Sequence, residues 1–192
     1  YEGNFKDNYP VGEFRYFYPS GKMKARSVYT MKGKVSYTLM FDVNEKKMAE
    51  GKYVDEKKDS TWRYYNDQEQ LISEETFQKG LKHGIYRTYY PGGTINEEIH
   101  YLNGKKDGEW IQYYADGIVK LRGIYRDDLL QGLTQVFYPN SKVMVSGTYK
   151  NSLKDGIWMY FDESGKAQKK EIYAKGHKIK EEIYDKSLIE KE

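Results

Sequence analysis

Three kinds of residue in this 192-residue chain could carry chemistry: histidines, paired carboxylates and clustered aromatic rings. The histidines fall in unrelated contexts. His83 takes a turn slot that is Asp59, Asp107 and Asp155 elsewhere, His100 lies on the polar side of a strand, and His177 follows Gly176 in a turn. No two of them share a site by sequence, so neither a metal cluster nor a histidine acid–base pair is expected. Glu74-Glu75 and Glu97-Glu98 supply adjacent carboxylates, the raw material of general acid–base catalysis. Neighbouring residues of a strand point to opposite faces, however, so these acids are expected to pair with lysines across strands. "PGG" at 91–93 reads as a turn, because no G-x-x-x-x-G-K-[ST] pattern follows it. Cysteine is absent, which removes disulfides, thiolate zinc sites and cysteine nucleophiles together and leaves the compartment open. The reading is therefore of a chain with no catalytic residue, no metal ligand set and no cofactor.

The rings remain. "GEWIQYYADG", residues 108–117, has close relatives in "STWRYYND", "GIYRTYYPGG" and "GIWMYFDESG". Such rings either face outward to hold a ligand or inward to hold the chain together. Composition favours the second role for most of them. The mean hydropathy of -0.93 and 32% charged residues would leave a chain disordered, but 16% of the residues are aromatic, 21 of them Tyr. Charge is nearly balanced, 32 basic against 29 acidic residues, and the lysines come in short pairs with acids nearby. That argues against a nucleic-acid face or a polybasic membrane patch. No apolar run approaches the length of a membrane span, and the first residue is Tyr1 rather than Met. The latter favours an exported protein, periplasmic or at the cell surface, trimmed at its N-terminus.

What must position the rings is a repeat of 24 residues. Steps of 24 from Gly12 reach Ser36, Ser60, Gly84, Gly108, Gly132 and Gly156 without an insertion or deletion. Five residues further on, every copy has an aromatic: Phe17, Phe41, Tyr65, Tyr89, Tyr113, Phe137 and Phe161. Seventeen on stand Tyr29, Tyr53, Phe77, Tyr101, Tyr125, Tyr149 and Tyr173. A large ring comes two residues after the opening position in Phe14, Trp62, Tyr86, Trp110 and Trp158, and an apolar residue eleven after it in most copies. Turn signals, "YPSG", "YADG", "NGKKDG" and "NSLKDG", separate these columns, so each copy is two short strands and two turns, a β-hairpin. The chain divides into a half repeat at 1–11, seven repeats over 12–179 and a cap at 180–192 that closes the sheet edge as a strand or short helix.

The unit G-x-W-x-x-Y-Y-x-x-G-x-L-x-x-x-x-x-Y-x-x-G-x-x-x-D-G resembles the MORN (membrane occupation and recognition nexus) repeat, in its bacterial variant form, over about residues 1–179. The second copy, 36–59, departs from it by lacking the tryptophan column and the mid-repeat glycine. The resemblance implies an all-β fold, an elongated single twisted antiparallel sheet of tandem hairpins, used as a scaffold or interaction surface. An antitoxin label attaches to some bacterial members.

Strand alternation assigns faces. Ile95, Glu97, Ile99 and Tyr101 oppose Asn96, Glu98 and His100, and Val119, Leu121, Gly123 and Tyr125 oppose Lys120, Arg122 and Ile124. A three-residue mid-repeat turn sets Tyr113 opposite Val119, which places the fifth-residue aromatics on the apolar face. Trp110 joins them there if a bulge falls at Ile111-Gln112. The next column, Tyr18, Asp42, Asn66, Tyr90, Tyr114, Tyr138 and Asp162, accepts polar residues and is expected to face water. Tyr18, Tyr90, Tyr114 and Tyr138 are thus the candidate partner-binding residues, forming an exposed stripe suited to a protein partner. The expected function is a non-enzymatic scaffold or protein-interaction module. The alternatives are a glycan or cell-wall binder, which would need exposed Trp rings, and an antitoxin-like or membrane-associated protein acting on lipid head groups.

Overall fold

A computed structural model describes residues 1–184. They form only strands and turns: β1 (Glu2–Lys6), β2 (Tyr9–Phe17), β3 (Met23–Thr30), β4 (Val35–Phe41), β5 (Lys47–Val54), β6 (Lys57–Tyr65), β7 (Leu71–Gln78), β8 (Leu81–Tyr89), β9 (Ile95–Leu102), β10 (Lys105–Tyr113), β11 (Val119–Arg126), β12 (Leu129–Leu130), β13 (Gly132–Phe137), β14 (Val143–Lys150), β15 (Leu153–Phe161), β16 (Ala167–Ala174) and β17 (His177–Ile183). All pairing is antiparallel between strands joined by hairpins, as the repeat pattern predicts. The strands pack as two units, one of Tyr1–Thr94 with Tyr101–Gly104, the other of Ile95–His100 with the chain from Lys105 onward. The tail expected to cap the sheet supplies β17, paired with β16; residues 185–192 of that expected cap lie outside the described residues.

Two turn types build each hairpin. Between copies lie two-residue turns with both residues at positive φ, as at Asp55-Glu56 (46°, 62°) and Asp127-Asp128 (47°, 67°), the geometry that matches strand twist. Asp and Asn recur there because their short polar side chains tolerate that region. In mid-repeat, the Tyr114 N–H donates to the Ile118 carbonyl at 2.8 Å and the Gly117 N–H to the Tyr114 carbonyl at 2.9 Å, closing the expected three-residue turn.

The opening glycine has a role beyond the turns. Glu50 pairs with Arg63, yet Lys52 pairs with Asp59, so the two residues Ser60 and Thr61 bulge out of β6. Ser60 stands there at φ 59°, and Gly84 and Gly156 stand at the matching bulges with φ of 100° and 74°. The column is mostly glycine because the bulge demands a left-handed residue. The second copy has no such bulge: β3 and β4 pair without a break from Ala25↔Met40 to Thr30↔Val35. Its two spare residues are taken up in a four-residue turn at 31–34, which keeps the 24-residue count intact.

A second bulge corrects the expected faces. Gln112 pairs with Leu121 and Tyr113 with Val119, so the extra residue is Lys120 on β11, not one at Ile111-Gln112 on β10. β10 therefore alternates without interruption, and Trp110 and Tyr113 point to opposite faces. The Trp110 indole donates to Glu97 at 2.8 Å while the Tyr113 hydroxyl donates to Glu98 at 2.8 Å, two adjacent residues of β9. On the Trp face lie instead the second- and seventeenth-residue rings and the residue before each fifth-residue aromatic. In the first unit this face holds Trp62, wholly buried, with Ala49, Phe77, Met40, Tyr53 and Tyr64. In the second unit it holds buried Trp158, T-shaped against Tyr149 at 5.0 Å.

Candidate functional site

The Trp face is assembled by complementarity across strands. Trp62 and Trp158 each lie on a glycine of the preceding strand: a Cβ on Gly51 would fall 2.2 Å from the Trp62 ring, and one on Gly147 2.1 Å from Trp158. The indole nitrogens are used too, Trp62 donating to the Lys52 carbonyl at 2.9 Å and Trp158 to that of Thr148 at 3.2 Å. These rings hold the fold and present no free stacking face.

Lysines crown the rings in a column that sequence reading missed. The Lys58 ammonium lies 4.6 Å from the Trp62 ring centre, Lys82 4.7 Å from Tyr86, Lys106 4.9 Å from Tyr125 and Lys154 4.3 Å from Trp158. Lys34 and Lys178 continue the 24-residue spacing, which Leu130 interrupts. The signal was present as a column with one gap, hidden because each lysine belongs to an ordinary-looking charged pair or turn. Burial pushes the Lys58 amine down, against the pull of Glu75. Glu171 is buried among Tyr160, Tyr173, Lys169 and Lys178. Burial works to raise its carboxyl, yet hydrogen bonds from Tyr160, Lys169 and Tyr173 and the Lys169 charge hold it at about 2.

The opposite face carries ion pairs and tyrosines. Arg63 bonds Glu74 at 2.8 Å, Tyr89 donates to the same carboxylate at 2.8 Å, and Lys47 lies 3.9 Å over the Tyr65 ring. The acid pairs separate to two faces, as their strand positions predict, but of the expected lysine partners Lys82 on Glu75 is the one found among the described residues, with Arg63, Tyr89, Trp110 and Tyr113 serving the other three acids. A groove of about 570 Å³ crosses this face between β3, β4, β5 and β6, walled by Arg26, Val28, Tyr37, Leu39, Lys52 and Arg63. Tyr37 is 57% exposed within it and Val28 40%.

The expected stripe of water-facing tyrosines is corrected. Tyr18, Tyr90, Tyr114 and Tyr138 are all half-buried. The Tyr18 hydroxyl donates to the Phe41 carbonyl at 2.8 Å, Tyr114 to Phe137 at 2.6 Å and Tyr138 to Phe161 at 2.9 Å, each tying one mid-repeat turn to the next copy. Where the column is Asp or Asn, the side chain turns back into its own turn. Asp42 Oδ1 accepts from the Asn44 and Lys46 N–H groups at 2.8 and 2.9 Å, and Asn66 and Asp162 do the same. The column tolerates Tyr and Asp because both satisfy backbone at the turn, by different routes. The histidines stay apart: His83 is half-buried within β8 rather than in a turn, His100 packs beside Gly108, and His177 opens β17. Among the described residues no cluster of His, Asp and Glu has the geometry of a metal site.

The MORN repeat variant family matches residues 10–30, 82–103, 106–127 and 130–151. The chain carries MORN repeats. The second copy, with its missing bulge and missing tryptophan, lies outside the matched residues. No curated protein matches the sequence. Among solved structures, a mutant of S. aureus TarM in complex with fondaparinux, alpha-GlcNAc-glycerol and UDP aligns at 18% identity with a TM-score of 0.38. The alignment covers 50% of this chain and 19% of that one. MORN repeats commonly serve as binding modules, and this chain is a repeat module built from them.

Proposed function

We propose that this MORN-repeat chain is a non-enzymatic interaction module that binds a protein partner on the ionic face of its first unit. The observation that carries the reading is the groove around Tyr37. An exposed tyrosine and an exposed valine, paired across β3 and β4 and flanked by Arg26, Arg63 and Lys52, make the composition of a protein-binding hot spot. The Trp rings, by contrast, are committed to the fold, which weighs against a glycan reading that needs them exposed. Affinity capture from the source organism, comparing the native chain with Tyr37→Ala, tests the reading. A protein retained by the native chain and lost with the variant is the expected result, with an unchanged melting temperature. Identical capture by both chains would move the contact surface elsewhere.

A further inference from the structure

The second copy keeps the cradle of an indole and lacks the indole. One copy further on, Trp62 lies on Gly51 among Ala49, Tyr53, Met40 and Tyr64, with Lys58 above it. Each of these walls has a counterpart 24 residues back: Ala25 for Ala49, Tyr29 for Tyr53, Tyr16 for Met40, Met40 for Tyr64 and Lys34 for Lys58. Ala, Tyr and Lys are kept and two large walls are exchanged for other large side chains, while the ring and its floor are replaced by small polar residues. Thr38 stands where Trp62 does and Ser27 where Gly51 does, and their buried hydroxyls close on each other at 2.8 Å. The space left above them is a groove of about 430 Å³, lined by those same counterparts and by Tyr53.

We propose that this groove receives a tryptophan side chain of a protein partner, the inserted indole taking the place that Trp62 fills one copy later. The inference rests on the protein-binding reading but uses the other face of the sheet. Two features select an indole over a sugar ring. Tyr53 meets Trp62 edge-to-face, 4.8 Å between centroids and 71° between planes, and Tyr29, at the matching position, lines the vacant groove. Lys34 lines the groove from the 31–34 turn, and its ammonium, which has no ion pair among the described residues, offers a bound indole the kind of contact that Lys58 and Lys154 make with theirs. Tryptophan is also the side chain most enriched at interface hot spots, where it fills such a pocket.

N-acetyl-L-tryptophanamide titrated into the full chain, read by NMR at the tyrosine rings, tests the site. Saturable shifts at Tyr16, Tyr29 and Tyr53 are expected, with a Kd on the order of 1 mM, and none with N-acetyl-L-leucinamide. Ser27→Gly/Thr38→Trp, which rebuilds the matched pair and fills the groove from within, should weaken probe binding by about tenfold or more. Should that variant fold poorly, Lys34→Met at the exposed rim is expected to weaken binding about threefold with no loss of stability. Absent saturation, equal shifts from the leucine probe, or undiminished binding in a folded filled variant each overturn the proposal. None of these results touches the Tyr37 groove, so the protein-binding reading stands or falls separately by its own capture experiment.

Discussion

The Tyr114 hydroxyl shows how a single polar atom is used in this chain. It crosses from one mid-repeat turn to the Phe137 carbonyl of the next copy, so its deletion leaves a half-buried carbonyl without that partner. Tyr114→Phe is expected to cost about 1 kcal/mol in a urea titration. Tyr114→Ala should cost more, since the ring is lost as well. Glu171 belongs to the same scale. Its carboxyl sits near 2 when folded against an ordinary 4.5, so the stabilisation it contributes is complete above about pH 4.5 and is lost as pH falls towards 2. Replacing it with Gln should flatten the dependence of unfolding free energy on pH across that interval, a difference on the order of 3 kcal/mol between its ends. A variant with the native slope would show that other carboxylates govern acid unfolding.

Among elements, the informative pair is the bulge and the turn. A two-residue turn followed by a two-residue bulge consumes as many residues as a four-residue turn with no bulge. Counting along the chain cannot distinguish them, and the 24-residue frame runs through the second copy although its geometry differs. For the same reason the hairpins, the three-residue turns and the ring columns were legible in the sequence, while the faces were not. A one-residue bulge on β11 and one on β10 give the same spacing of Trp110 and Tyr113 along the chain but opposite sides for them. The glycine columns also looked alike yet answer to different constraints. Ser60 is held at φ 59°, so Ser60→Gly should raise stability by about 0.5–1 kcal/mol in thermal unfolding. Gly147 has ordinary φ but a ring 2.1 Å from its absent Cβ, so Gly147→Ala is expected to cost about 2–4 kcal/mol. At Gly123 the nearest atoms, of Thr134 and Trp110, lie 3.2 Å from that position, and the same change there should be milder.

In the molecule as a whole, the described strand pairings link neighbours along the chain, with β11 meeting β13 past the two-residue β12, and stability accumulates from contacts between adjacent copies. Trp62→Ala should therefore raise amide exchange in β4 to β7 while leaving β14 to β16 protected as before, a pattern that hydrogen-exchange mass spectrometry resolves. Uniform loss of protection across both units would mean that the chain melts as one block. The hydroxyl ties of Tyr18, Tyr114 and Tyr138 have a mechanical side. Because a strand's neighbours in the sheet are its neighbours along the chain, tension drawn through the backbone reaches a unit at its outermost hairpin. There it peels hydrogen bonds one after another instead of shearing a whole ladder at once. Each tyrosine that reaches over to the following copy then works as a tooth in a zip: it leaves the sheet soft to gradual pulling but makes it yield in steps, one repeat at a time.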